Sequence, residues 1–261
     1  MVVIVWSIAN QKGGVGKTTA AITLAGLLSE KNKRVLLIDT DPHASLTTYL
    51  NYDSDTLPRS LFDLFQLQTI NSDTVKPLIL NTEYKNLDLL PSHMSLATLD
   101  RAMSNRSGMG LMLKKTLGCL EKEYDYSLID CPPILGVMMV NALAASNRIL
   151  IPVQTEFLAM KGLERMIRTL QIMQKSRKSI FKVCIVPTMY DKRTRASLET
   201  LQELKIRYSG QIWASAVPID AKFCDASLKH MPPSYYVKNC RGVFAYKRLL
   251  SYLERLEQDE R

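Results

Sequence analysis

The twelve residues from Ile8 to Thr19, IANQKGGVGKTT, constrain the fold more than any other stretch of this chain. They follow VVIVWSI, a short apolar, β-branched segment typical of a buried strand, and they precede the strongly helical segment TTAAITLAGLLSEK. A glycine-rich turn between a strand and a helix aims several backbone N–H groups at one point, at the positive end of the helix dipole. The stretch therefore predicts a phosphate-binding loop.

The residue types in this loop fit a nucleotide with Mg²⁺. The glycines let the backbone approach the phosphates, Lys17 neutralises terminal phosphate charge, and the Thr18 hydroxyl is a magnesium ligand. A simple glycine turn with two solvated lysines is the alternative, but it does not explain why strand, spacing, Lys-Thr pair and helix all occur together. We expect ATP or ADP to contact Gly13, Gly14, Val15, Gly16, Lys17, Thr18 and Thr19.

The loop departs from the strict pattern G-x-x-x-x-G-K-[ST], because Gln11 stands at the first glycine position. Lys12 instead precedes the paired glycines, which gives K-G-G-V-G-K-T-T. This deviant form resembles the ParA/MinD family of P-loop ATPases. The resemblance implies a face-to-face homodimer in the ATP state, in which Lys17 serves the phosphates of its own subunit and Lys12 reaches into the partner's site.

Two carboxylates end the second predicted strand, RVLLIDTDP. Asp39 and Asp41 are two residues apart, so they share one face of a strand and lie at its carboxyl end, where nucleotides bind in doubly wound sheets. The family resemblance implies that Asp41 orients the attacking water and that Asp39 organises Mg²⁺ through water. Most relatives continue with P-Q-G-N, whereas this chain has PHAS, so His43 is either structural or in contact with the site.

A third carboxylate, Asp130, ends the apolar strand within YDYSLIDCPP. In a protein with a phosphate-binding loop, this position fits a Walker B residue that holds the magnesium hydration shell. The neighbouring Cys131 has no second cysteine suitably placed for an iron–sulfur cluster. The five cysteines are an odd number without a C-x-x-C pair, which favours a reduced cytoplasmic protein without a zinc site.

The rest of the chain alternates apolar strands with amphipathic helices. This pattern predicts one α/β domain over residues 1–261, a mostly parallel twisted sheet of about eight strands with helices on both faces. The last helix, GVFAYKRLLSYLERL, is expected to pack on the sheet. The further strands are predicted at LDLLP, RILIPVQTE, FKVCIVP and IWASAVP.

The family resemblance also suggests contacts beyond the loop. Glu156, in PVQTE, corresponds to an element near the dimer seam and is a candidate contact for the partner's nucleotide. The segments TMYD and VPID occupy the places where relatives build the base pocket. The candidates there are Met189, Pro218 and Asp220.

The net charge of +9 comes from one part of the chain. Residues 161–261 hold 20 Lys and Arg against 10 Asp and Glu, whereas residues 1–160 hold 14 against 15. This asymmetry predicts nonspecific binding to DNA or to an anionic membrane, unless the basic residues are only solvated helix faces. The DNA-binding candidates are Arg193, Arg195, Lys222, Lys229, Arg241, Lys247 and Arg248.

The ending EQDER is acidic and has no apolar anchor, unlike the amphipathic tail of MinD-type proteins, so we expect no stable membrane anchor. Runs such as DTDPHASLTTYLNYDSD and PVQTEFLAMKGLERM resemble the ParC-like branch, which positions chemotaxis arrays at bacterial cell poles. That resemblance implies slow, partner-stimulated ATP hydrolysis, a ParB-like or ParP-like adaptor, and a polar or nucleoid location. The alternatives are a membrane-cycling ATPase of the MinD or flagellar-number type, a nucleotide-sensing polar scaffold, or a metabolic P-loop enzyme.

Overall fold

Seven strands form one sheet in the computed structural model, which describes residues 3–102, 108–175 and 179–259. The strand order is β3-β4-β2-β5-β1-β6-β7, and every neighbouring pair is parallel except β3 with β4. This architecture confirms the predicted mostly parallel α/β sheet. The strands are β1 (Ile4–Ile8), β2 (Val35–Asp39), β3 (Leu80–Asn81), β4 (Leu87–Leu90), β5 (Tyr126–Asp130), β6 (Arg148–Gln154) and β7 (Lys182–Thr188).

Helices cover both faces of this sheet. In the described part of the chain they are α1 (Lys17–Glu30), α2 (Ser45–Tyr49), α3 (Leu61–Leu64), α4 (Ser72–Val75), α5 (Leu96–Ala102), α6 (Met112–Cys119), α7 (Val137–Ala145), α8 (Phe157–Gln174), α9 (Arg195–Arg207), α10 (Lys222–Leu228), α11 (Pro233–Tyr236) and α12 (Arg241–Asp259). Short 3₁₀ turns precede β3 and α6.

The strands alternate their side chains between two separate cores, as the pleat requires. In β2, Leu36 and Ile38 belong to the core under α3 to α9, whereas Val35 and Leu37 belong to the core under α1, α2 and α12. All four are fully buried. The near-continuous apolar sequence of this strand follows from its burial on both faces.

The strand order reverses beside β1. Helix α1 carries the chain from β1 past β5 to β2, while β6 and β7 are added on the other side of β1. In open α/β sheets the ligand crevice forms at such a switch point, outside the carboxyl ends of the strands. The crevice therefore receives the loop after β1 together with the final residues of β2 and β5.

The last helix, α12, closes one face of the sheet, as the sequence predicts. Glu257 Oε1 accepts hydrogen bonds from Arg148 Nε at 2.9 Å and from Trp6 Nε1 at 3.1 Å. Both donors belong to central strands. At the C-terminal end of α1, Lys31 Nζ lies 2.6 Å from Glu254 Oε2. These contacts fix α12 to both the sheet and α1.

The prediction of a strand at IWASAVP is wrong. This segment makes only isolated bridges, Ile185 with Ile212 and Tyr190 with Pro218. Trp213 N does donate to the Ile185 carbonyl at 2.9 Å. The next donor on β7 facing this segment would be residue 187, but Pro187 has no N–H, so the ladder cannot continue. The described sheet therefore has seven strands.

A matched pair of glycines tests the packing of α1. A β-carbon at Gly26, in the middle of α1, would lie 2.6 Å from Ser234 Oγ and 2.9 Å from Pro232 Cβ, whereas one at Gly118 in α6 meets nothing within 4 Å. We expect Gly26→Ala to lower the free energy of unfolding by about 1–3 kcal/mol because α11 must shift. Gly118→Ala should be neutral or stabilising by up to about 1 kcal/mol. Urea unfolding checks both, and equal effects would contradict the close approach.

Candidate nucleotide site

The loop between β1 and α1 adopts a conformation that requires glycine at two positions. Gly14 has φ +72° and Gly16 has φ +89°, both in the left-handed region. Gly16 is also the N-cap of α1, so the unpaired N–H groups of the first helical turn open onto the loop. Several hydrogen bonds hold the loop in place: Thr188 Oγ1 donates to the Val15 carbonyl at 2.9 Å, Lys12 N donates to Asn10 Oδ1 at 3.0 Å, and Gln11 Nε2 donates to Thr169 Oγ1 at 2.7 Å.

Lys17 is the first residue of α1 and is only 8% exposed. Its Nζ donates to the carbonyl of Lys12 at 3.4 Å, so the ammonium folds back over the loop. This long contact is the one hydrogen bond that the Lys17 ammonium makes among the described residues, and a buried ammonium paired in this way favours an anion beside it. The location of Lys17 fits the predicted contact with terminal phosphate oxygens.

The end of β5 supplies a buried carboxylate to the same place. Thr18 Oγ1 donates to Asp130 Oδ2 at 2.6 Å, while Asp130 Oδ1 is buried and has no hydrogen-bond partner among the described residues. Burial, followed by the negative charge of Asp39, raises the pKa of Asp130 to about 8. This carboxylate therefore binds either a proton or a cation, which would relieve the cost of its burial.

These groups fit a magnesium ion held with a nucleotide. Mg²⁺ prefers oxygen ligands and is bound through one or two carboxylates with phosphate oxygens and water. Thr18 and Asp130 provide such oxygens next to the loop. Within the described ranges, no group of three or more His, Cys, Asp or Glu side chains is placed to hold a metal. A metal here would depend on phosphate oxygens and water for the rest of its ligands.

Asp39 lies beside Asp130, because the two residues are register partners of β2 and β5. Its Oδ1 accepts from Asp41 N at 3.1 Å, and its Oδ2 accepts from the N–H and the hydroxyl of Thr47 at 2.8 and 2.7 Å. Burial raises the pKa of Asp39 to about 6, although the Thr47 bonds oppose this rise. Asp39 thus fixes the loop from Asp41 to Thr47, and its water-mediated contact with Mg²⁺ stays a prediction.

Asp41 follows β2 at the rim of the crevice. Its Oδ1 accepts from His43 N at 3.0 Å and from His43 Nδ1 at 2.9 Å. The His43 side chain is 78% exposed and the Asp41 side chain 14%. Asp41 also lines an apolar hollow of about 340 Å³ between the loop after β5 and the start of α5. His43, which the sequence left open, is therefore bonded directly to the predicted catalytic carboxylate.

Lys12 forms an ion pair with Glu156 of its own chain. Both side chains are partly exposed, at 29% and 41%. Gly162 in α8 permits this approach, because a β-carbon there would lie 3.0 Å from Lys12 Cβ. The structure thus brings together two residues that the resemblance assigned separately to the partner's site, and those assignments stay predictions.

The predicted base-pocket residues are also brought together. Tyr190 N donates to the Val217 carbonyl at 3.0 Å and Ile219 N donates to the Tyr190 carbonyl at 3.1 Å, so the segments with Met189 and Pro218 run side by side. Met189 has a left-handed φ of +52°. Asp220 Oδ2 accepts from Gly242 N at 2.9 Å near the start of α12, and its Oδ1 accepts from Lys222 N at 3.1 Å, so both of its oxygens already bond to the backbone.

All seven predicted DNA-binding residues are exposed. Three of them pair with acids of their own chain: Arg193 with Asp191 at 2.7 Å, Arg195 with Glu199 at 2.6 Å, and Lys222 with Asp225 at 2.9 Å. Those pairs reduce the charge available to a polyanion. The described residues include no helix long and apolar enough to cross a bilayer.

A glycine-rich loop at a sheet switch point, a buried lysine, and a Thr18–Asp130 pair define this chain as a P-loop nucleotide-binding protein. It matches a protein-family model described as an AAA domain over residues 3–183, more than half of the chain. It is 32% identical over 241 residues to the sporulation initiation inhibitor protein Soj of Bacillus subtilis, covering 92% of this chain and 94% of Soj.

Two further comparisons agree. The chromosome partitioning protein ParA of Caulobacter vibrioides is 31% identical over 258 residues, covering 98% of this chain and 95% of ParA. A crystal structure from Mycobacterium smegmatis, described as cobyrinic acid a,c-diamide synthase with bound ADP and magnesium, superimposes with a TM-score of 0.84, at 31% identity over 99% of this chain and 97% of that one. The chain belongs to the ParA/Soj family of P-loop ATPases.

The buried Asp130 carboxylate predicts a measurable pH dependence. Its raised pKa means that the folded protein keeps a proton that the unfolded chain releases near pH 4, so stability falls as pH rises from about 4 towards 8. Asp130→Asn should remove this loss. Relative to the wild type, its free energy of unfolding should therefore rise by up to about 1.4 kcal/mol per pH unit in that window. Chemical unfolding without nucleotide at pH 5 and pH 7 measures the gain.

The exposed Asp55→Asn is the control and should show the same difference at both pH values. A constant effect of Asp130→Asn across the window would contradict the raised pKa.

Proposed function

We propose that this chain is an ATP-dependent dimerising switch of the ParA type, which hydrolyses ATP slowly until a partner stimulates it. The single observation that carries this proposal is the loop itself: buried Lys17, the Thr18–Asp130 pair and the partly exposed Lys12 meet at one crevice. ATP with Mg²⁺ would bind to Lys17, Thr18 and Asp130 within one subunit. Lys12 is then the group left to meet a second nucleotide.

The surface around the crevice supports a protein partner. Four apolar side chains that follow β5 and β6 are largely exposed: Ile134 and Leu135 at 67% and 50%, and Phe157 and Leu158 at 70% and 67%. They lie at the same carboxyl edge of the sheet as the nucleotide loop. Clustered exposed apolar residues mark interaction sites, and a second copy bound here would bring two crevices face to face.

The ion pair between Lys12 and Glu156 sets the balance between the free and dimeric states. A partly exposed pair contributes only about 0–1 kcal/mol. A γ-phosphate in the partner's site carries more charge and accepts stronger bonds, so it competes effectively for the Lys12 ammonium. Loss of that phosphate on hydrolysis lets Lys12 return to Glu156, and the dimer loosens. In the dimer, Glu156 is then released next to the partner's nucleotide.

The two lysines are expected to separate binding from dimerisation. Lys17→Ala should weaken ATP binding by roughly 10- to 150-fold, the loss of a charge-assisted bond of about 1.5–3 kcal/mol, and thereby abolish the dimer. Lys12→Ala should keep ATP affinity within a few-fold and still lose the dimer. Fluorescent-nucleotide titration and light scattering measure the two quantities. Equal ATP affinities for the two variants would contradict the assignment of Lys17 to nucleotide binding and of Lys12 to dimerisation.

Asp41 is proposed to orient the attacking water. Its carboxylate is at the rim of the crevice, with 14% of the side chain exposed, and the bonds that it accepts from His43 N and Nδ1 fix its direction. Asp41→Ala should lower hydrolysis by about 10²- to 10⁴-fold and leave a stable dimer in ATP. Phosphate release and light scattering check both effects. Wild-type hydrolysis by Asp41→Ala would remove the assignment.

We propose DNA as the anionic matrix of the ATP dimer, and the cytoplasm, at the nucleoid or cell pole, as its location. The support is the exposed positive charge of the C-terminal half, where Arg241 and Arg248 share one face of α12 at i and i+7. Dimerisation doubles this face, which would make binding depend on ATP. Binding to anionic liposomes in ATP would favour a membrane-cycling ATPase instead.

A salt series on nonspecific duplex DNA tests this matrix, using the Asp41→Ala protein with ATP and Mg²⁺. Each phosphate contact adds about 0.9 to the slope of log K against log salt. Replacing Arg241 and Arg248 together by Gln should reduce the slope by about 2 per subunit, while the exposed Lys85→Gln in the N-terminal half should leave it unchanged. Equal slopes for all three proteins would remove α12 from the interface.

The cargo we propose is a polar chemotaxis array, with a chromosome or plasmid as the alternative, on the support of the ParC-like runs alone. A ParB-like or ParP-like adaptor would then stimulate hydrolysis. The name of the Mycobacterium smegmatis structure describes a small-molecule synthase. Multiple-turnover phosphate release without any added acceptor distinguishes the switch from such an enzyme, and also from a scaffold that only senses nucleotide.

A further inference from the structure

The residue that breaks the strict loop pattern, Gln11, attaches the nucleotide loop to α8. Its Nε2 donates to Thr169 Oγ1 at 2.7 Å, across 158 positions of sequence. Thr169 lies in the C-terminal half of α8 and is only 8% exposed. Glycine, which the strict pattern requires at position 11, has no side chain and could not make this bond. The departure from the pattern therefore supplies a contact that a strict loop lacks.

The residues on either side of Gln11 are held against the same part of the molecule. Asn10 is fully buried, its Nδ2 donates to the Pro152 carbonyl of β6 at 2.8 Å, and its Oδ1 accepts from Lys12 N at 3.0 Å. A β-carbon on Gly162 of α8 would lie 3.0 Å from Lys12 Cβ and 3.5 Å from Asn10 Oδ1. Residues 10–12 therefore lie directly on the surface of α8.

The contacts with α8 follow the length of this helix. Glu156, its N-cap residue, forms the ion pair with Lys12. Gly162 lies beside Lys12, and Thr169, which accepts from Gln11, is seven residues further along. Residues seven apart share one face of a helix. One face of α8 therefore supports the backbone of residues 10–12, while its N-terminus holds the Lys12 ammonium.

We propose that Gln11 is a positioning residue for Lys12, whose bond to α8 fixes the Lys12 backbone so that the ammonium moves from Glu156 to the partner's phosphate while the rest of the residue stays in place. This inference rests on the proposed ATP-dependent dimer. Ordering a long side chain costs free energy when a complex forms, and a segment that is ordered beforehand avoids part of this cost. The contact with α8 thus lowers the concentration at which two subunits associate.

The bond of Gln11 acts on dimerisation rather than on nucleotide binding. The part of the loop that faces the phosphates, residues 13–19, has a support of its own, because Thr188 Oγ1 on β7 donates to the Val15 carbonyl at 2.9 Å. Loss of the bond to α8 would therefore loosen Lys12 and leave the phosphate-binding backbone in place.

Thr169→Val tests the proposal without altering the loop, because it removes the acceptor hydroxyl and keeps the shape of the side chain. We expect the dissociation constant of the ATP dimer to rise roughly 5- to 150-fold, since each immobilised side chain costs a factor of about 2 to 12 and the dimer contains the segment twice. ATP affinity should stay within a few-fold. Gln11→Ala should behave in the same way, and Thr169→Ser should restore the wild-type dimer. Light scattering over a concentration series and fluorescent-nucleotide titration measure the two quantities.

Thr116→Val is the matched control. Thr116 is a buried threonine of α6 whose hydroxyl has no hydrogen-bond partner among the described residues, so its loss should leave dimerisation unchanged. The double variant of Gln11→Ala with Thr169→Val should dimerise no more weakly than either single variant, because both changes remove the same bond. Additive losses, a wild-type dimer in Thr169→Val, or an equal loss in Thr169→Ser would overturn the proposal.

Failure of the proposed function gives a different result from failure of this inference. A wild type that stays monomeric in ATP would remove the dimer and this role of Gln11 with it, whereas equal dimerisation by the wild type and Thr169→Val would remove the role alone. Hydrogen exchange of residues 8–16 in the nucleotide-free chain measures the attachment directly. Exchange should be faster in Thr169→Val than in the wild type and Thr169→Ser, and equal exchange in all three would contradict the attachment.

Discussion

The buried carboxylate of Asp130 is the constraint on which the site depends. It stands at the end of a central strand, bonded on one side to Thr18, while its other oxygen has no hydrogen-bond partner in the part of the chain that the structure describes. A sheet built only for stability would place an apolar residue there. The cost of this burial, expressed in the raised pKa, is recovered when a cation and a nucleotide arrive. The unfavourable burial of this carboxylate in the free protein therefore increases the affinity for Mg²⁺ and ATP, because their binding relieves it.

Much of this site could be predicted from sequence because its signals are local. The loop spacing, the pair Asp39 and Asp41 at the end of one strand, and Asp130 at the end of another each depend on residues close together in the chain. Their meeting then follows from parallel strands, whose carboxyl ends share one edge. The register that places Asp39 beside Asp130 confirms this reasoning.

The rest depends on residues distant in sequence. Thr188 supports the nucleotide loop from β7, Thr47 occupies Asp39, and Glu156 holds Lys12 across 144 positions. No local pattern marks these partners. The failed strand at IWASAVP has a different cause, since its own residues suit a strand and the missing donor is Pro187 on the neighbouring one. Pairing is a property of two segments, so the propensity of one cannot decide it.

Helix α12 also has a consequence for how the protein is made. The contacts of Glu257 with Trp6 and Arg148, and of Glu254 with Lys31, join the last helix to the first strand and the first helix. On the ribosome, the apolar faces of β1 and α1 stay partly uncovered until α12 has emerged. Folding of the nucleotide loop is then tied to the synthesis of α12, and a chain that lacks this helix exposes the surface that chaperones and proteases bind.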